Sequence, residues 1–362
     1  MVPVGATQGV ERIRVSAVGF GRVGSAVVEL ALTRPWIDLV SVVAQRDERH
    51  GEPVRTSVLS APEGLVVRTD TSAALEESRP DVVIVATRSR LADVLPPLQM
   101  AVDAGARTIL CTSEELAYAQ PEDGPEAHAI HELARHGGAT IVATGVNPGF
   151  VLDLWPLVLS GLAWDVERLI ARRIVDVSVF APHTRAQLGI GHGRAAFAAG
   201  VESGVIVGHL GFRESLRLLC DGMGRPAERI SIHTDPLLAQ RPYALADARI
   251  EAGTTVGVSQ RAVAWHRDDP SISVELLLHA APGLDGIRTV DEMHLVGRHE
   301  LHATLDPGAG AILSTAAQLI NGIPVALRAG PGLYSPGQLP PSAPWLAVAP
   351  PPWTPAFAAP AA

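Results

Sequence analysis

The sequence contains no lysine, so all 29 basic residues are arginines. This excludes a Schiff-base lysine, a lysine general base and the lysine of a phosphate-binding P-loop. Acid–base chemistry must therefore run on glutamate, aspartate, histidine or tyrosine. Cysteine is almost absent: Cys111 and Cys220 lie far apart, in no metal-like spacing. That argues against a disulfide framework and a structural zinc, and fits a reducing cytoplasm. The histidines, including His183 and His192, show no ligand spacing, and no metal is expected. Basic stripes are missing too. The net charge is −9 and the pI about 5.8, which does not suit a nucleic-acid partner. No long apolar run is free of breakers. The stretch Pro307–Leu327 holds Gln318, Asn321, Gly322 and Pro324, so it reads as a buried helix and turn, and no membrane partner is expected. Residues 1–10 lack the charged and apolar regions of a signal peptide.

What is present suggests two domains in 362 residues. Residues 11–150 alternate strands with helices. Strands are expected at Ile13–Val18, Leu39–Val43, Asp81–Ala86, Thr108–Thr112 and Thr140–Ala143, and helices near 24–33, 91–105 and 126–136. This alternation signals a parallel sheet with crossover helices. Beyond residue 165, β-like segments at 167–178, 228–234, 246–266, 271–280 and 292–304 enclose helical stretches near 193–203 and 210–223. The expected fold class is α/β, an N-terminal Rossmann domain with a second α+β domain on a mainly antiparallel sheet. The expected domains are a dinucleotide-binding domain over 1–150 and a substrate and dimerisation domain over 151–310. A helix and strap over 311–340 then return to the first domain, and a Pro/Ala-rich tail covers 341–362. Residues 329–362 contain ten prolines and no charge, as in an irregular strap.

Gly19-Phe20-Gly21-Arg22-Val23-Gly24 sits between the first strand and the first helix. Gly19 permits a tight turn, Gly21 a close backbone approach to a pyrophosphate, and Gly24 close helix–strand packing. The second strand runs into Ala44-Gln45-Arg46-Asp47. Ala44 stands where an NAD enzyme places its acid, and Arg46 can pair with a 2′-phosphate. NADP is the preferred cofactor, with NAD as the alternative if Asp47 holds the ribose. Ala86-Thr87-Arg88-Ser89 follows the third strand and borders the cofactor by position, or simply caps a helix. Thr112-Ser113-Glu114-Glu115 ends the next strand, at the edge where catalytic groups collect. Its acids are either catalytic carboxylates or caps of a helix first turn.

Ser113-Glu114-Glu115-Leu116-Ala117-Tyr118 and Gly145-Val146-Asn147-Pro148-Gly149-Phe150, together with the glycine fingerprint, resemble the 2,4-diaminopentanoate dehydrogenases and related native amine dehydrogenases, which are dihydrodipicolinate-reductase-like enzymes. The likeness continues through Arg173–Ser178, Gly200–Gly204, Gly208–Gly211 and Asn321–Pro324. It implies a homodimer and a catalytic glutamate, either Glu114 or Glu115. Glu114 ranks first because a lysine in more distant relatives aligns there. It also implies a loop of Asn147, Pro148 and Gly149 beside the nicotinamide, with Phe150 and Trp155 lining the substrate pocket. Val177 and Phe180 belong to the apolar run that joins them. Asp176 and His209 are polar residues of the same region, His209 being expected to cap a helix or hold a loop. The implied activity is NAD(P)H-dependent reductive amination of small aliphatic ketones or aldehydes with ammonia, and its reverse. 2,4-Diaminopentanoate oxidation is the alternative within the class; it needs a cation for the substrate carboxylate, and Arg185 is the only one offered near 178–186. A non-catalytic dinucleotide sensor is the alternative of another class, and would leave both glutamates facing solvent.

Overall fold

The computed structural model describes residues 12–351. The expectations for residues 1–10 and for the last part of the tail, 352–362, lie outside the described residues. The chain forms two units, residues 1–145 with 312–362 and residues 146–311.

The first unit is built on β1 (Ile13–Val18), α1 (Arg22–Leu32), β2 (Ile37–Val43), β3 (Val67–Arg68), α2 (Thr71–Ser78), β4 (Val82–Val85), α3 (Leu91–Asp103), β5 (Thr108–Cys111), α4 (Pro125–His136) and β6 (Thr140–Ala143). A C-terminal helix (Ala311–Ala326) and strand (Gly332–Tyr334) complete it. The seven strands are all parallel, in the order C-terminal strand-β6-β5-β4-β1-β2-β3. Every residue of β4, β5 and β6 is buried, as the continuous apolar runs of a sheet covered on both faces require. Strand order reverses between β1 and β4. In open α/β sheets that reversal opens a ligand crevice at the carboxyl ends of the strands.

The second unit contains α5 (Leu154–Ser160), β7 (Arg168–Asp176), α6 (Pro182–Gln187), α7 (Arg194–Glu202), α8 (Phe212–Gly222), β8 (Arg229–Leu238), the short β9 (Tyr243–Ala244) and β10 (Arg249–Ile250), β11 (Thr255–His266), β12 (Asp269–His279), β13 (Val290–Val296) and β14 (Leu301–Leu305). The main sheet runs β14-β13-β7-β12-β11-β8. Only β7 and β12 pair in parallel; the other neighbours are antiparallel. Phe212, Leu216, Leu219 and Cys220 of α8 recur at helical spacing and are buried. They join a core with Leu169, Ala171, Ala262, Val274 and Met293. Within it Arg173 donates to both oxygens of Asp291 at 3.0 and 3.1 Å, with both side chains almost fully buried. The backbone of Ala309 accepts from Arg173 and donates to Asp291, which adds hydrogen bonds to a pair that is otherwise costly to bury.

Two long β expectations are corrected. The segment 246–266 breaks at Gly253, whose positive φ of 79° turns the chain and whose N–H bonds to Ala239. The segment 292–304 is a hairpin, β13 and β14 folding back around residues 297–300. A Cβ on Gly24 would lie 1.8 Å from the Gly19 carbonyl oxygen, whereas one on Gly21 would meet nothing within 4 Å. Gly24→Ala is expected to cost roughly 2–3 kcal/mol, as overpacking does. Gly21→Ala should stay within about 1 kcal/mol of the parent in urea unfolding. Equal losses would contradict this account of the loop.

Candidate active site

In the first unit the loop after β1 is fixed on several sides. The Gly19 N–H bonds to Val43 O at 2.8 Å, and Gly19 (φ +101°) lies so close to Ala86 that a side chain would collide with its carbonyl. Gly21 caps α1 in extended conformation, with no side-chain cap and no acid in the first turn. The first N–H groups of α1 are thus left without a side-chain partner at the positive end of the helix dipole, and the space above Gly21 is open. These features fit the diphosphate of a dinucleotide. Phe20 is buried, Val23 half-buried and Arg22 exposed. A hollow of about 460 Å³ flanks the loop, lined by Phe20, Gly21, Arg22, Ser25, Glu29 and Arg49 among others.

At the end of β2, Ala44 is buried while Gln45, Arg46 and Asp47 are exposed. Arg46 forms no ion pair among the described residues. Arg49, with no role expected from sequence, donates to the Phe20 carbonyl at 2.6 Å. At the end of β4, the Ala86 N–H bonds to Val18 O. The Thr87 hydroxyl is buried with no partner among the described residues, and Arg88 is exposed.

The two glutamates after β5 are separated by their surroundings. Glu115 accepts from the Leu91 N–H at the start of α3 at 3.0 Å and pairs with Arg90 at 3.6 Å. It is a helix-capping acid. Glu114 retains some solvent contact but is packed deeply enough that burial pushes its carboxyl up, opposed by a hydrogen bond from the Ser89 side chain and reinforced by the charge of Glu115. Ser89 is held in turn: its carbonyl accepts from the Ser113 hydroxyl at 2.7 Å and the Glu115 N–H at 3.1 Å. Cys111, one step back on β5, is fully buried with its thiol pushed up to about 12, and so is inert.

In the second unit the Asn147–Pro148 peptide is cis. Asn147 donates its amide to His209 Nε2 at 3.0 Å, and its Oδ1 is buried without a partner. Burial, with the nearby charge of Arg173, lowers His209 to about 3, so it stays neutral and accepts. His209 thus holds this loop, and its own N–H bonds to Gln260. Asp153, unassigned from sequence, is buried and accepts from the Gly149 N–H, the Leu154 N–H and the Ser215 hydroxyl. The acid type followed by a short helix was its only local signal; Ser215 is 62 residues away.

Phe150, Trp155 and Phe180 are half-buried against the core of the second unit, and Val177 is fully enclosed in it. Asp176 accepts from the Ser178 N–H at 2.8 Å. Arg185 is not a free cation. It is buried, donates to Asp247 at 2.6 Å and to the carbonyls of Ser178 and Phe180. A second unforeseen cluster joins Tyr243, whose hydroxyl donates to Asp285, to buried His279, 3.1 Å from the same carboxylate. No group of three or more His, Cys, Asp or Glu suited to a metal occurs among the described residues, and none of their helices is long and apolar enough to cross a membrane.

Comparison with known proteins places the chain in a family. The chain is 26% identical over 341 residues to the 2,4-diaminopentanoate dehydrogenase of Acetoanaerobium sticklandii, covering 91% of this chain and 94% of that protein. It is 22% identical over 339 residues to an amine dehydrogenase of Streptomyces virginiae, covering 87% and 93%. The solved structure of an amine dehydrogenase from Mycobacterium smegmatis shares the fold with a TM-score of 0.82 at 22% identity, over 92% of this chain and 97% of that one. A probable dehydrogenase from Thermotoga maritima shares it more loosely, with a TM-score of 0.56. Residues 150–349 match the family described as the 2,4-diaminopentanoate dehydrogenase C-terminal domain, and the chain belongs to that family.

Proposed function

We propose that this protein is an NAD(P)-dependent amine dehydrogenase that converts small aliphatic ketones or aldehydes and ammonia to primary amines, and runs the reverse reaction. The observation that carries this reading is Glu114: a carboxyl at the carboxyl edge of the sheet whose burial disfavours its charge. A helix-capping role does not account for it, because Glu115 fills that role. A buried acid also argues against the sensor reading. The names of the relatives place amine oxidoreduction in the same family.

When bound, the nicotinamide supplies or accepts a hydride. Glu114, ionised, takes a proton from ammonium and so frees ammonia as the nucleophile. Ammonia adds to the carbonyl carbon. Glu114, now neutral, returns the proton to the hydroxyl that departs as water, and the carbon left behind is ready for hydride. A carboxyl raised toward neutrality suits both directions of transfer, and the turn that carries it is tied to the end of β4 through the Ser89 carbonyl. Gly19, Gly21 and Gly24 form the diphosphate cradle, with Gln45 and Arg46 facing the adenosine ribose. Phe150, Trp155 and Phe180 are the apolar residues assigned to the substrate's chain. Arg185 is engaged by Asp247 and two carbonyls, which supports a substrate without a carboxylate.

Four outcomes check this. Glu114→Gln should lower turnover by ~10²-fold or more while cofactor affinity changes little. The same variant should be the more stable protein at about pH 8: the folded carboxyl is raised, so its cost accumulates as pH climbs above the ordinary carboxylate range and vanishes below it. Full activity in both Glu114→Gln and Glu115→Gln would refute the assignment. Arg46→Ala should weaken NADPH binding by about tenfold and NADH binding far less, since only NADPH offers the 2′-phosphate; equal effects would make Arg46 a surface residue. In a panel at high ammonium and alkaline pH, short aldehydes and cyclohexanone should outperform 2-oxo acids and 2,4-diaminopentanoate. Strong preference for the acids would favour the diamino-acid reading.

A further inference from the structure

On the Gly21 side, packing does little to fix the peptide plane between Phe20 and Gly21. Gly21 has the widest backbone freedom, and no neighbouring atom lies where its side chain would be. Its orientation matters because the Phe20 carbonyl and the Gly21 N–H belong to one trans peptide and point in opposite directions. Whatever holds the carbonyl aims the N–H.

Arg49 holds it. Its Nη1 donates to the Phe20 carbonyl at 2.6 Å, and its guanidinium lies 4.7 Å from the centre of the Phe20 ring. The guanidinium is itself braced by Glu52, through Nε at 2.7 Å and Nη2 at 3.2 Å, and by the Ser57 hydroxyl at 3.1 Å. Phe20 is buried, so ring and carbonyl are fixed together. Arg49 also belongs to the segment after β2 that carries Gln45 and Arg46, and it ties that segment to the glycine loop.

We propose that Arg49 is a positioning residue for the dinucleotide: by anchoring the Phe20 carbonyl it turns the Gly21 N–H toward the pyrophosphate. This rests on the dinucleotide reading of the loop. Arg49 acts on the part common to NAD and NADP, and so differs from Arg46, which is assigned to the 2′-phosphate alone.

The test measures binding of NADH, NADPH and adenosine 2′-monophosphate by calorimetry or fluorescence, beside steady-state kinetics. In Arg49→Met the Kd for both dinucleotides should rise about tenfold, the scale of one lost charge-assisted hydrogen bond. Adenosine 2′-monophosphate, which lacks the pyrophosphate, should bind within about twofold of wild type, and kcat at saturating cofactor should change far less than KM for cofactor. Arg49→Lys, which keeps a donor for the carbonyl, should recover part of the loss. If Arg49→Met does not fold, Glu52→Gln, which only loosens the brace, should raise both dinucleotide constants by a smaller factor. Wild-type dinucleotide binding in the folded variant overturns the inference and leaves the cofactor reading intact. A loss shared by adenosine 2′-monophosphate also overturns it, because the effect is then not on the pyrophosphate. A wild-type protein that binds neither dinucleotide overturns the cofactor reading itself, and this inference with it.

Discussion

The carbonyl oxygen of Gly19 occupies the space that a side chain at residue 24 would need, and Gly19 itself is pressed against the backbone of Ala86. These two contacts bind the end of β1 to the first turn of α1 and to the end of β4, where the sheet order reverses. No side chain larger than hydrogen fits at either glycine. The consequence is positional: the start of α1 with its uncapped N–H groups and the end of β4 with Ser89 are set along one sheet edge by these backbone contacts, and the Ser113 hydroxyl ties the turn after β5 with Glu114 to the same edge. Gly21, the third glycine, is under no such pressure, which is what separates a residue needed for packing from one needed for access.

That edge is also where the lack of lysine has its effect. A lysine ammonium would favour ionised neighbours. In its place stands a carboxyl whose own burial disfavours charge, next to a second carboxylate that disfavours it further. Two adjacent acids thus end with different properties through their partners. Glu115 accepts from the start of α3 and pairs with Arg90. Glu114 has a serine hydroxyl and little water. The divergence arises from the turn after β5, which sends consecutive side chains in different directions, and from Ser89, whose carbonyl ties that turn to the end of β4.

Much of the first unit was legible in the sequence because its signals are local. Continuous apolar runs located β4, β5 and β6, and the glycine spacing located the loop. Interactions over long sequence distances were not legible. Nothing local in the sequence marks Arg49, and its partner Phe20 lies 29 residues earlier. Asp153 and Ser215 show no pattern that pairs them, nor do Asn147 and His209, although a loop-holding role for His209 was expected. Arg185 illustrates the converse: a lone cation in an apolar run suggests a ligand, and only the fold reveals that Asp247, 62 residues on, already holds it. Interrupted strands were missed for a simpler reason. At Glu251-Ala252-Gly253-Thr254 and at Gly297-Arg298-His299-Glu300 a glycine among polar residues turns the backbone, and the β expectations ran through both turns.

The central claim is that the surroundings of Glu114 hold its carboxyl toward the neutral form. The most direct measurement is a titration of the side-chain carboxyl carbons by NMR in protein labelled at glutamate, with Glu114 assigned by its loss in Glu114→Gln. The account predicts that Glu114 titrates clearly above the ordinary carboxylate range and stands apart from Glu115. A Glu114 that titrates within the ordinary range, together with the exposed acids, would contradict it.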